Sequence, residues 1–201
     1  MRAFFSKNKW ITGSCIVGLT LLSGCSITPP KSLMDIQAGE TFTLKQPVTF
    51  RAENVRQYIQ FGELTGGGFN QSEQHCRIEL YEMPKKAYMV QPQNFKISRV
   101  QLDEEEIARN QDRIMFAANQ YTTVQSDVAP NLMLLARDDY QRPETMDLVH
   151  LYLKSDTQPN VYRLTCSGAL SNGDPKDAPR SYRPDRNDIN RILGNVGSIH
   201  P

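Results

Sequence analysis

The sequence predicts a mainly β fold, a small antiparallel β-sandwich-like domain with a short C-terminal helix and one disulfide. Three observations carry that expectation. Beyond residue 40, apolar residues recur with a period of two more consistently than with a period of 3.6, as strands with one buried face require. Cys76 and Cys166 each lie on the apolar side of such an alternating segment. Near the C-terminus, a helical apolar stripe begins and ends with capping residues.

Taken in chain order, Phe42, Leu44, Val48 and Phe50 form an alternating run broken near Pro47. Val55 to Leu64 reads as a second strand, with Tyr58 and Gln60 opposite Ile59 and Phe61. Gly66-Gly67-Gly68 punctuates the chain before Cys76-Arg77-Ile78-Glu79-Leu80-Tyr81, where Cys76, Ile78 and Leu80 share one face and Arg77 and Glu79 the other. Phe95, Ile97 and Val100 predict a further strand with Lys96 and Ser98 facing away. Asp103 to Ile114 is acidic and then mixed, which suits a short helix or an exposed loop.

Leu132 to Ala136 and Leu148 to Leu153 are apolar runs of β-compatible composition. Lys154 to Asn160 contains Asp156, Pro159 and Asn160, residues that favour turns, so Val161 to Cys166 is expected to return as the second strand of a hairpin. Tyr162, Leu164 and Cys166 would then share its inner face. Ser171 to Pro184 reads as a loop. Asp185 follows as an N-cap, Asp188 takes the third helical position, Ile189, Ile192 and Leu193 supply the apolar stripe, and Gly194 ends the helix.

The first 24 residues read as an export signal. Arg2, Lys7 and Lys9 precede a mostly apolar run of 13 residues from Trp10 to Leu22. That run falls short of the roughly 20 residues needed to span a bilayer and has the form of a secretory signal. It ends in Leu22-Ser23-Gly24-Cys25, which looks like a lipobox cleaved between Gly24 and Cys25. Small residues at 23 and 24 suit a narrow peptidase site, and a thiol has the nucleophilicity needed to take up a diacylglycerol. Each buried methylene contributes about 0.8 kcal/mol, so two or three acyl chains on Cys25 would hold the protein at the membrane essentially permanently.

Cys15 would leave with the signal. Ser26, where Asp would favour inner-membrane retention in the sorting scheme this resembles, points to the outer membrane of a two-membrane bacterium. Residues 25–39, with Pro29-Pro30, are expected to form a flexible tether, leaving 40–201 as a β-rich periplasmic domain. Without residues 1–24 the chain carries 20 basic and 22 acidic side chains, a net −2, so it lacks the cationic footprint of a nucleic-acid binder. Both cysteines remaining beyond the lipid site point toward the core, as a bonded pair on neighbouring strands would. In an exported protein they are expected to be oxidised, and without a C-x-x-C motif the bridge should be structural.

No catalytic or metal-binding constellation emerges, and no cofactor is expected. His75, His150 and His200 are well separated. His75 beside Cys76 suggests a Cys–His nucleophile, but a disulfide would consume the thiol. His150 would need a converging carboxylate to act as a base. Gly66-Gly67-Gly68 lacks the Lys-Ser/Thr of a phosphate loop, and Asp103-Glu104-Glu105-Glu106 lacks the alternating donors and glycine of a calcium loop. Tyr58, Tyr81, Tyr88, Tyr152 and Tyr162 lie on strand patterns, where they would serve either a sugar or protein surface or packing within the sheet.

Several segments resemble a family of uncharacterised proteobacterial exported proteins and lipoproteins. They are Tyr58-Ile59-Gln60-Phe61-Gly62, Phe69-Asn70-Gln71, His75-Cys76-Arg77-Ile78-Glu79-Leu80, Pro92 through Ile97, Leu151 through Asp156, Val161-Tyr162-Arg163-Leu164-Thr165-Cys166, and Asp188-Ile189 through Gly194. The likeness covers roughly residues 45 to 195. It implies a Cys76–Cys166 pairing and carries no activity or functional residue with it.

The expected function is therefore that of an envelope-anchored lipoprotein, held in the membrane through Cys25. It would act as a non-enzymatic binding or structural accessory to an envelope protein or the cell wall. The alternative is a periplasmic hydrolase or transferase with a non-contiguous active site, in which His150 meets Asp or Glu in a deep pocket.

Overall fold

Alternation decides which face of each strand is buried, and long-range pairing decides where each strand ends. The computed structural model describes residues 28–66, 68–107 and 143–201. The segment read as an export signal, with Gly24 and Cys25, residues 108–114 of the acidic segment and the run Leu132 to Ala136 lie outside the described residues.

The strands are β1 (Thr41–Leu44), β2 (Val48–Phe50), β3 (Arg56–Gln60), β4 (Glu63–Thr65), β5 (His75–Leu80), β6 (Tyr88–Val90), β7 (Gln93–Ile107), β8 (Glu144–Lys154) and β9 (Val161–Ser167). Helix α1 (Arg186–Leu193) and β10 (Gly197–His200) follow. Eight strands form one sheet in the order β10-β1-β7-β8-β9-β5-β3-β4, every pair antiparallel, while β2 and β6 form a separate ribbon.

Among the described residues the fold is thus the mainly β, antiparallel domain with one short α-helix and one disulfide that the sequence predicts. Its layering comes from a single sheet curling over on itself. Helix α1 touches β10 at one edge and β3 and β5 near the other. The inner face holds Phe42, Phe95, Ile59, Leu151 and Leu164, closed by Ile189 and Leu193 of α1 and by Val48, Phe50 and Val90 of the ribbon. Helix α1 begins as expected: the Asp185 carboxylate accepts from the Asp188 N–H at 2.9 Å.

Four elements depart from the sequence expectation. The run Val55 to Leu64 is two strands, because Phe61 and Gly62 both take positive φ, 54° and 83°, and turn the chain back so that Gln60 faces Glu63. Residues Asp103 to Ile107 are neither helix nor loop but the end of β7, held by pairing with Glu144 to Leu148 of β8. Strand β10 follows the helix directly and pairs with β1. A register shift between Glu79 and Leu80 sets Val161 opposite Leu80 and into the core, and Tyr162 packs on Tyr152 and Tyr81 instead of lining the inner face with Leu164 and Cys166.

The residues expected as a tether are packed from Pro29 onward. Met34 and Ile36 are in the core, 3% and 0% exposed, and the Gln37 side-chain amide donates to the carbonyls of Pro29, Met34 and Ile36. Two apolar side chains found room under the curled sheet, which a composition rich in proline and polar residues does not reveal.

The packing of α1 on the β3–β4 turn includes one close approach of two backbones. The Gly62 N–H donates to the Ile192 carbonyl at 2.9 Å, and a Cβ on Gly194 would lie 2.5 Å from the Gly62 Cα. Gly194→Ala should therefore lower stability by about 2 kcal/mol in urea denaturation, since two backbones must part. Gly66→Ala, with nothing within 4 Å of the new methyl, should leave the midpoint unchanged.

Candidate functional site

Residues directly opposite in an antiparallel ladder share a face, so the register lays out the outer surface of the sheet. One row runs Arg99, Tyr152, Arg163, Glu79, Arg56 across β7, β8, β9, β5 and β3. The next runs Gln101, His150, Thr165, Arg77, Tyr58. This face holds the buried Glu79 with Arg77 and Arg163.

Glu79, 6% exposed, is the centre. Its carboxylate accepts from Arg77 Nε at 2.7 Å, from Arg163 Nε at 3.1 Å and from the Thr165 hydroxyl at 3.2 Å. Burial pushes the Glu79 carboxyl up, but the two guanidinium groups outweigh it and hold it below the ordinary carboxylate value. Burial also works against the Arg163 charge, and Glu79 outweighs it in turn. Arg77 reaches Glu105 at 3.8 Å, which ties β5 to the acidic end of β7.

The two central histidines are buried among these groups. His150 has Nδ1 2.9 Å from the Thr165 hydroxyl and Nε2 3.4 Å from Asp103. Because that hydroxyl donates to Glu79, its oxygen is left to accept from His150 Nδ1–H. His75 has Nδ1 2.9 Å from the Glu73 carbonyl and 3.1 Å from the Ser167 hydroxyl, which itself donates to the His75 carbonyl. Burial lowers the pKa of both rings. For His75 it exceeds the opposing hydrogen bond to Glu73; for His150 the Arg163 charge adds to it and Asp103 opposes.

This arrangement limits the chemistry. Thr165 and Ser167 are each 1% exposed and their protons go to acceptors other than the imidazoles, so neither hydroxyl is poised as a nucleophile. Cys76 lies on the opposite face from His75 and is bonded to Cys166, its direct partner across β5 and β9, with Cα atoms 4.0 Å apart. His150 does meet a carboxylate, but the cavity of about 320 Å³ near Ser72, Glu144, Ser171 and Asp177 contains neither histidine.

The acidic run alternates across its strand: Asp103 and Glu105 turn to His150 and Arg77, so the four carboxylates do not converge. His200 stands apart, its Nε2 2.7 Å from the Ser198 hydroxyl. No group of three or more potential metal ligands occurs among the described residues.

The tyrosines divide. Tyr58 stacks on Phe69 at 4.1 Å beside His75, and Tyr88 packs against the core from the ribbon. Tyr152, Tyr162 and Tyr81 form a line, with Arg99 3.8 Å above the Tyr152 ring and Tyr81 60% exposed at the other end. The polar core of this surface is sealed, and its exposed margin carries Tyr81, Arg99 and Arg56 together with the half-exposed carboxylates of Asp103 and Glu105. Sequence reading missed the Glu79 network, although Arg77 and Glu79 at i and i+2 were a visible signal that the two share a face. No protein-family model, no curated protein and no solved structure matches this chain.

Proposed function

We propose that the chain is an envelope lipoprotein, anchored through lipid on Cys25 in the outer membrane and facing the periplasm, whose β domain is a non-enzymatic binding or structural accessory. The observation that carries this reading is Leu22-Ser23-Gly24-Cys25 at the end of a basic and then apolar leader. The buried disulfide between β5 and β9 supports export to an oxidising compartment. The resemblance to exported proteins points the same way. Hydroxyls and imidazoles committed to internal hydrogen bonds favour a binding role over the hydrolase alternative.

The test is Cys25→Ser in cells. The outer-membrane fraction should lose the protein, and cleavage between Gly24 and residue 25 should stop. Normal cleavage with continued membrane retention would contradict the anchor. In-cell crosslinking of the native protein should recover the same envelope component repeatedly, and its failure to do so would count against an accessory role.

A further inference from the structure

The packing of residues 29–37 bears on how the domain meets its membrane, provided that Cys25 carries the lipid anchor proposed above. Cys25 and the buried Pro29 are separated by only three residues, Ser26, Ile27 and Thr28. Fully extended, that connection spans at most about 14 Å. A lipid on Cys25 thus holds the body of the domain at the headgroup layer.

The surface around the attachment point is specific. The Pro30 carbonyl accepts from the Leu33 and Met34 N–H groups at 2.9 and 3.1 Å, fixing a turn that sends Met34 inward and leaves Leu33 65% exposed, near exposed Lys31. Asp35 ties this turn to the start of α1 by accepting from the Arg186 backbone N–H at 3.1 Å, and the Arg186 guanidinium returns a bond to the Asp35 carbonyl at 2.8 Å. At the far end of α1, the Gly62 bond to Ile192 positions Phe61, which is 78% exposed at a positive-φ turn position that ordinarily takes Asn, Asp or Gly. Between them, Asn187 and Arg191 are exposed on α1, with Arg191 paired to Asp188 and Asp185 exposed at the helix start.

Among the described residues no contact accounts for a bulky apolar side chain at this turn, where Phe61 is 78% exposed. A bilayer surface does, since aromatic and aliphatic side chains gain at the headgroup boundary and Lys and Arg reach its phosphates. We propose that the face bearing Leu33, the exposed side of α1 and Phe61 lies against the bilayer that holds the Cys25 lipid. The outer sheet face with Tyr81 and Arg99 then points away from the lipid, and partners are met within a domain's reach of the membrane rather than at the end of a long tether.

Single-cysteine labelling of the full-length lipidated protein tests this, because Cys25 is acylated and Cys76 and Cys166 are bonded. A fluorophore is placed by Leu33→Cys, Phe61→Cys or Tyr81→Cys. The protein is reconstituted into phosphatidylethanolamine–phosphatidylglycerol vesicles carrying a doxyl-labelled lipid. Labels at 33 and 61 should lose fluorescence and the label at 81 should not. Quenching at 33 alone, or at none of the three in protein that floats with the vesicles, would overturn the docked orientation. Failure to float would sink the anchor itself and the orientation with it. Shielding of both labels in detergent that grows with protein concentration would assign the face to a second copy instead.

Discussion

Replacing Cys76 and Cys166 together with alanine is expected to remove about 4 kcal/mol of folding stability. The bridge joins residues 90 apart in sequence, so its loss frees a long loop in the unfolded chain. It also lies at the centre of the β5–β9 ladder with both cysteines fully buried, next to Ile78 and Leu164. The double variant should show a urea midpoint lower by about 2 M, and a steeper dependence on urea because its denatured state is more expanded. Reductant should move the wild-type midpoint toward that of the variant and leave the variant alone. An equal midpoint in the two proteins would mean that the curled sheet is held by packing alone.

The second large effect is at Glu79. Glu79→Gln should cost about 3 kcal/mol, because it leaves Arg77 and Arg163, both mostly buried, without their shared counter-charge. Arg163→Gln should cost less, since Glu79 keeps Arg77. That ordering separates a charge network from simple packing, which would penalise the larger arginine truncation at least as much.

The same network sets the acid limb of stability. His75 and His150 have folded pKa values below the ordinary 6.5, so as pH falls below 6.5 the unfolded chain takes up protons that the fold refuses, and stability declines. Glu79 has a folded value below the ordinary 4.5, so its contribution is present above 4.5 and is lost as pH falls through the lowered value. Urea midpoints should therefore fall in two stages on acidification, the first absent from a His75→Gln/His150→Gln variant. A midpoint that rises between pH 7 and pH 5 would contradict this assignment.

The parts legible in the sequence were those set by local chemistry. The alternation of Cys76, Ile78 and Leu80, the turn before Val161 and the Asp185 cap each state their structure within a few residues. The parts that escaped were set by distant neighbours. Glu104 to Glu106 show no alternation in polarity and are strand because Thr145 to Asp147 pair with them. Phe61 reads as a strand residue and is a turn, since the conformation comes with the Gly62 approach to α1.

The same holds at the site. Period two places Arg77 and Glu79 on a solvent face, whereas Arg163 and Thr165 from β9 make that face a buried ion network. Nothing local to Met34 or Ile36 says that a curled sheet built from residues far along the chain will have room for them.

The most direct test of the anchor is the intact mass of the protein extracted from cell membranes. A chain that begins at Cys25, carries the mass of two or three acyl chains on that residue and holds Cys76 and Cys166 as a disulfide is the expected result. A chain that begins elsewhere, or begins at Cys25 with no added lipid, would contradict it.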